Sequence, residues 1–301
     1  MEPAMTDPAA APVPPPAPLA TELDAAVAVL SRSGVEDPRV DAELLAAHVL
    51  GIGRGELQAR LVTGGTLGDD ERDALRRAIE RRATREPLQH ITGVAAFRHL
   101  ELRVGPGVFV PRPETEIVAQ IAIDALVAAA TPEPIAVDLG TGSGAIALAL
   151  ATEVPHARVH AAENSVDAFL WTRENFDRVG APNARLAFID LAEAFPELDG
   201  AVSVVVSNPP YVPDGAVPRD PEVRLYDPPA ALYGGADGLD VVRVLSDTAL
   251  RLLHPGGTLV IEHGEWQGAP IRDLLTAAGW RSAATHPDLT LRDRATTAVR
   301  P

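Results

Sequence analysis

The apolar positions change period along the chain. From residue 21 to about 84 they recur three and four apart, which predicts helices. Thr21 followed by Asp24 has the form of an N-cap with an acid three positions on. Asp37-Pro38 predicts a second start, a capping acid before a proline that suits the first helical position. Leu44, Leu45, His48 and Val49 then supply one face, and Gly51 ends it. Another helix is expected over about 69–82. Its Arg72, Arg76, Arg77, Arg81 and Arg82 are interleaved with acids, so a solvated face laced with ion pairs is expected rather than a nucleic-acid patch. These elements outline a small helical domain over residues 20–86. The Ala/Pro-rich residues 1–19 before it are expected to be disordered or polyproline-like.

Residues 87–110 switch to alternation. Ile91, Phe97, Leu100, Leu102, Val104, Val108 and Val110 alternate with polar or small residues, and Gly93, Gly105 and Gly107 punctuate them. This predicts a β-hairpin linker. Beyond it, apolar strands at 135–139, 158–162, 185–189, 203–206, 258–262 and 296–299 alternate with helical stretches. That rhythm predicts an α/β domain over 111–301, a mostly parallel, doubly wound, Rossmann-like sheet.

Composition narrows the chemistry. Of 301 residues 46% are apolar and 23% charged, enough for packed cores. The formal charge of −16 repels a phosphate backbone, so no stable nucleic-acid partner is expected. There is no cysteine, which removes disulfides, thiolate metal sites and cysteine nucleophiles. There is also no lysine, which removes Schiff-base and phosphate-loop lysines. No apolar run reaches about 18 residues and no secretory leader is evident, so a cytoplasmic protein with no membrane partner is expected.

The first α/β strand runs into Asp138-Leu-Gly-Thr-Gly-Ser-Gly144 and then a helix. Gly140, Thr141, Gly142, Ser143 and Gly144 allow a tight turn and a close approach of backbone to a ligand at a helix N-terminus. With Ala145 this also satisfies the dinucleotide fingerprint, so an NAD-dependent dehydrogenase stays in view. Glu163, at the next strand end and 23 residues after Gly140, can accept both hydroxyls of a ribose. Asp190, at the third strand end, can accept from an adenine amino group.

The fourth strand ends in Asn208-Pro209-Pro210-Tyr211, 68 residues after Gly140. Two prolines stop any strand or helix and remove two amide donors, leaving a rigid turn that presents the Asn208 amide and bare carbonyls. This block resembles the hallmark of S-adenosylmethionine-dependent methyltransferases that act on planar nitrogens. The resemblance implies that Asn208 and the Pro209 carbonyl accept the two N–H hydrogens of such a nitrogen and that Tyr211 packs on its plane. A donor with a good leaving group needs alignment more than a strong base, which suits a chain without Cys or Lys.

Four blocks together resemble the release-factor glutamine methyltransferase family: 86–93, 109–116, 138–149 and 206–212. The helical N-terminal domain and hairpin match it as well, and the resemblance covers about residues 20–300. It implies a class I methyltransferase domain that methylates N5 of the glutamine in the Gly-Gly-Gln loop of class 1 peptide chain release factors, in support of translation termination. It implies S-adenosyl-L-methionine as cofactor, S-adenosyl-L-homocysteine as product, and no metal. It places the cofactor on residues 140–144, Glu163, Asp190, Leu191 and Asn208, and the glutamine on Asn208, Pro209, Pro210 and Tyr211. Arg112, Glu114 and Thr115 are second-rank candidates beside the active site; alone they could be a helix start with its first-turn acid. The N-terminal domain is expected to recognise the protein substrate, and the chain to be a monomer. An adenine-N6 DNA methyltransferase and a non-catalytic S-adenosylmethionine-binding module are the alternatives.

Other residues attract less. His156 and His160 flank a strand start rather than share a helix face, so no metal site is expected there. His263 is expected to be a structural strand-end histidine, and Trp266 and Trp280 to pack in a core or between domains.

Overall fold

The computed structural model describes residues 17–301, which form two units divided between Thr92 and Gly93. Residues 1–16 of the expected tail lie outside the described residues. In the first unit β1 (Ala17–Pro18) pairs antiparallel with β2 (Thr66–Leu67), and α1 spans Leu19–Arg32. Helix α1 therefore begins before Thr21, which lies inside its first turn rather than at its cap. The reason is burial: Leu19, Leu23, Ala26 and Leu30 form one fully apolar stripe at helical spacing.

Helix α2 (Pro38–Leu50) does start after Asp37 and ends at Gly51, which takes the left-handed conformation at φ 64°. Its buried stripe is Ala42, Leu45 and Ala46 rather than Leu44, His48 and Val49, and His48 is exposed. Helix α2 packs against both α1 and α4 in one apolar core. Helices α3 (Arg54–Val62), α4 (Asp69–Ala83) and α5 (Leu88–Thr92) complete the unit. The mixed-charge face of α4 carries the expected pairs, Arg72–Asp69 at 2.8 Å and Arg76–Asp73 at 3.3 Å. Arg82 departs from that face and turns inward, donating to Asp41 at 2.6 Å.

The second unit opens with a hairpin of β3 (Val94–Phe97) and β4 (Leu100–Arg103). It is shorter than the expected 87–110, because residues 88–92 are helical and 104–110 form no strand. Nor is it a bare linker: Phe97 and Leu102 are buried in the same core as the α/β sheet. There follow α6 (Thr115–Val127), β5 (Ile135–Leu139), α7 (Ala145–Glu153), β6 (Arg158–Glu163), α8 (Val166–Val179), β7 (Ala184–Phe188) and β8 (Val202–Ser207). Then come α9 (Pro221–Tyr226), α10 (Pro229–Leu232), α11 (Asp240–Leu252), β9 (Leu253–Glu262), α12 (Gly268–Ala277), β10 (Arg281–Pro287) and β11 (Asp293–Val299).

The seven-stranded sheet has the order β10-β11-β9-β8-β5-β6-β7, and only β11 runs against its neighbours. The edge strand β10 had no counterpart in the sequence pattern: it is polar and half-exposed, with no apolar run to announce it. The apolar central strands β5 and β8 are buried throughout, as both covered faces require. One face carries α6, α7 and the hairpin, the other α11 and α12. From β5 the chain winds one way through β6 and β7, then returns to the other side through β8 and β9. The order reverses between β5 and β8, so the crevice outside their carboxyl ends is the topological switch point where such sheets bind ligands.

Candidate active site

Both sequence motifs open at that switch point. Ser207, the last residue of β8, donates its hydroxyl to the Leu139 carbonyl at 2.6 Å and ties the two motif-bearing strand ends together. After β5, Gly140, Gly142 and Gly144 take positive φ of 71°, 58° and 86°. An added Cβ at Gly140 or Gly142 would meet nothing within 4 Å, so both glycines line open space. At Gly144 it would press on Phe176, Leu148 and Thr172. The first two glycines thus leave a hollow and the third lets α7 pack.

Asp138, at the end of β5, organises this loop. One carboxylate oxygen accepts from the Thr141 hydroxyl at 2.6 Å and from the Ala147 amide at 3.1 Å. The other, Oδ1, is buried with no hydrogen-bond partner. Burial pushes this carboxyl up to about 7, against the pull of the Thr141 and Ala147 bonds. Helix α8 braces the loop from beside it: Thr172 donates its hydroxyl to the Gly142 carbonyl, and Asn175 donates to the Ser143 carbonyl at 2.9 Å. Asn175 also accepts from the Arg103 amide at 2.6 Å, which fixes β4 to the same frame.

Glu163, at the end of β6, accepts from the amides of Gly142, Asn164 and Ser165 at 2.8, 3.0 and 2.8 Å. Burial nevertheless keeps its carboxyl above the ordinary range. Asp190 follows β7 and is exposed; it accepts from the Ala192 amide and from the Asn164 side chain, the latter at 2.8 Å. Leu191 is half-buried beside it. Glu163, Asn164, Asp190 and Leu191 thus stand together at successive strand ends.

These residues fit an S-adenosylmethionine. The open space over Gly140 and Gly142 accepts a ligand where a side chain would stand, and Asp138, which organises the same loop, keeps one buried oxygen without a hydrogen-bond partner. Acids at two strand ends offer acceptors for ribose hydroxyls and an adenine amine.

The Asn208–Tyr211 turn is held from behind. Gln267 donates to the Tyr211 carbonyl at 2.9 Å and accepts from the Gly264 amide at 3.0 Å. A Cβ at Gly234 would collide with the Pro210 carbonyl, and one at Gly238 with that of Tyr211. Two glycines are therefore needed for the backbone to pass under the turn. Burial, with Glu262 nearby, pushes the Tyr211 phenol above its ordinary value, so it stays neutral.

The second-rank candidates also gather here. Thr115 is the first residue of α6, is buried, and accepts from the Asn208 side-chain amide at 3.5 Å. Arg112 lies over the Phe109 ring, 5.0 Å from its centroid, and donates to the buried Asp227 at 2.7 Å. Glu114 precedes Thr115 and bears electrostatically on Tyr211 and Glu262.

Sequence reasoning passed over Glu262, the last residue of β9. It is 1% exposed and follows Ile261, the register partner of Ser207 on β8; Thr115 and Asn208 both oppose the rise that burial gives its carboxyl. An acid closing an apolar strand beside the switch point was the available signal. His263 is structural as expected: it is fully buried and bonds Thr296 at 2.9 Å. Trp280 is buried and donates to Ser246 at 2.9 Å, but Trp266 is 85% exposed and packs in no core. Among the described residues no His/Asp/Glu group is arranged to hold a metal, and no helix is long and apolar enough to cross a membrane.

The chain matches the models of two families, the PrmC N-terminal domain over residues 23–93 and the methyltransferase small domain over residues 99–226. It is 52% identical over 283 residues to the release factor glutamine methyltransferase of Streptomyces coelicolor, covering 93% of this chain and 97% of that one. It is 43% identical to the protein of the same description from Bifidobacterium longum, covering 88% and 94%. A 4-amino-L-phenylalanine/4-methylamino-L-phenylalanine methyltransferase of Streptomyces pristinaespiralis is 41% identical, covering 94% and 95%. Among solved structures, a Thermus thermophilus 16S rRNA methyltransferase in complex with AdoMet and guanosine shares the fold, with a TM-score of 0.51 at 21% identity. It covers 69% of this chain and 50% of that one. With a relative this similar over nearly its full length, the chain belongs to the release factor glutamine methyltransferase family.

Proposed function

We propose that this chain methylates the side-chain amide nitrogen, N5, of the glutamine in the Gly-Gly-Gln loop of class 1 peptide chain release factors, with S-adenosylmethionine as donor. The observation that carries the reading is the convergence of two motifs at one switch point. The rigid Asn208–Tyr211 turn follows β8, and the open Gly140–Gly144 loop follows the neighbouring β5. The 52% identity to a release factor enzyme favours the protein substrate over the small aromatic amine named for the S. pristinaespiralis relative.

An amide nitrogen is a poor nucleophile because its lone pair is delocalised into the carbonyl. Asn208 Oδ1 and the Pro209 carbonyl would accept its two N–H hydrogens, draw it toward tetrahedral geometry and stabilise the positive charge that develops. The neutral Tyr211 ring would wall the planar group. Bound S-adenosylmethionine supplies an electrophilic methyl whose bonding pair departs with sulfur; the nitrogen that gains the methyl then gives up one proton to solvent. Residues 140–144, Glu163, Asp190 and Leu191 would hold the donor. The helical N-terminal unit would recognise the release factor.

Incubating the chain with radiolabelled S-adenosylmethionine tests this reading, with a release factor, a DNA duplex and 4-aminophenylalanine offered in parallel. Label on the release factor alone is expected. Label on DNA or on the amine alone would transfer the case to those substrates.

A further inference from the structure

Asparagine oxygen and nitrogen differ only in what surrounds them, and the proposed chemistry works with one orientation of Asn208. Its Oδ1 must face the substrate, because the incoming N–H groups need an acceptor. Something behind Asn208 must therefore take its NH2 group.

Behind it lie Thr115 and Glu262. The Asn208 Nδ2 donates to Thr115 Oγ1 at 3.5 Å. Glu262 follows Ile261, the register partner of Ser207, so Glu262 and Asn208 leave neighbouring strands side by side, and both Thr115 and Asn208 bear on its buried carboxyl. A hydroxyl that accepts from one neighbour keeps its own proton to donate to another, and an ionised carboxylate only accepts. Glu262 Oε2 is buried without a hydrogen-bond partner. Such an orphan is costly, and Leu259, Val260 and Ile261 just before it on β9 are all buried and apolar. A position serving the core alone would continue that run.

We infer that Glu262 is the positioning residue that sets the orientation of the Asn208 amide: its buried, unpartnered carboxylate oxygen is the acceptor toward which the Thr115 hydroxyl and the Asn208 NH2 turn, so that Asn208 Oδ1 is left for the substrate nitrogen. The inference rests on the methyl-transfer reading above. It predicts a proton switch. Protonated, Glu262 becomes a donor as well, can bond Asn208 Oδ1, and the flipped amide then offers N–H groups to N–H groups. The groups facing Glu262 are Thr115 and Glu114 at the start of α6, Asn208 and Tyr211 after β8, and Arg294 on β11. Burial raises its carboxyl to about 7, with Glu114 adding to the rise and Thr115, Arg294 and Asn208 opposing it.

The test compares kcat at saturating S-adenosylmethionine from pH 5.5 to 8.5 in the full-length chain, Glu262→Gln and Glu262→Asp. Wild-type kcat should rise with pH through a midpoint near 7. Glu262→Gln should lose roughly 10- to 100-fold in kcat, less than removal of a direct contact to the reacting group, with little change in the KM for S-adenosylmethionine. The midpoint near 7 should vanish with it. Glu262→Asp retains an ionisable, acceptor-only carboxylate and should keep the titration at reduced kcat. Burial pushes the Asp138 carboxyl up to about 7 as well, so a midpoint near 7 that survives in Glu262→Gln does not come from Glu262 and overturns the inference. So does wild-type kcat in that variant.

A second readout needs no substrate. The side-chain amide NMR signals of Asn208, identified by their loss in Asn208→Ala, should shift with the same midpoint in the wild type and stay fixed in Glu262→Gln. Signals that are flat with pH in the wild type contradict the inference even if transfer occurs. Absence of transfer with a titrating amide contradicts the substrate reading instead.

Discussion

Asn208 carries the claim at the scale of single residues. If its oxygen stabilises charge only as the nitrogen reacts, Asn208→Ala should leave S-adenosylmethionine affinity near wild type and lower turnover by roughly 10²–10³, as for loss of one oxyanion-type contact. Calorimetric binding and single-turnover rates separate the two. Glu262 makes a different prediction about stability. Its carboxyl titrates near 7 when folded, above its unfolded value, so its contribution is fully present below the ordinary carboxylate range and is lost as pH rises toward 7. Glu262→Gln should therefore melt higher than the wild type at pH 8 and close to it near pH 4, with a ceiling on the order of 3 kcal/mol. A variant that is more stable and less active marks an acid kept for chemistry; a variant less stable at pH 8 contradicts this. The glycines and prolines were legible in the sequence because backbone conformation is written into those residue types. Glu262, Ser207 and Thr172 were not. Their partners, such as Asn208, Leu139 and Gly142, lie far along the chain, and only the fold brings them together.

At the scale of elements, β5, α7 and α8 act as one frame for the glycine loop. Gly142 sits at φ 58° over open space, so Gly142→Val would both strain the backbone and fill the hollow. S-adenosylmethionine binding should be abolished while the circular dichroism spectrum is kept; undiminished binding would sink the assignment of that hollow. Asn175 joins α8 to the loop and to β4 through three hydrogen bonds. Asn175→Ala would orphan buried backbone groups and should cost about 1–3 kcal/mol in urea unfolding, with weaker cofactor binding. The apolar strands were readable from their runs to within a few residues, since burial on both faces leaves no exposed position in β5 or β8. Strand β10 was not, because at a sheet edge its pairing with β11 demands no apolar run. Helix α1 shows the opposite error. A capping pattern at Thr21 was outweighed by burial of Leu19.

For the whole molecule, topology decides where the chemistry is. Reversal of the strand order at β5 and β8 brings together two motifs 68 residues apart, and Ser207 ties the strand ends that carry them. The alternation of strands and helices made this α/β plan legible, but the strand order that creates the crevice is a property of the folded sheet. The charge of −16 belongs to this scale too: duplex DNA should not retain the chain even at about 50 mM salt, where phosphate contacts are strongest. The central claim is transfer to one glutamine nitrogen of a protein. The most direct measurement is intact-mass analysis of a release factor after incubation with the chain and S-adenosylmethionine, beside a release factor whose Gly-Gly-Gln glutamine is replaced by alanine. One added methyl on the first and none on the second is the predicted result. A methyl on both, or on neither while the chain binds its cofactor, would contradict the claim.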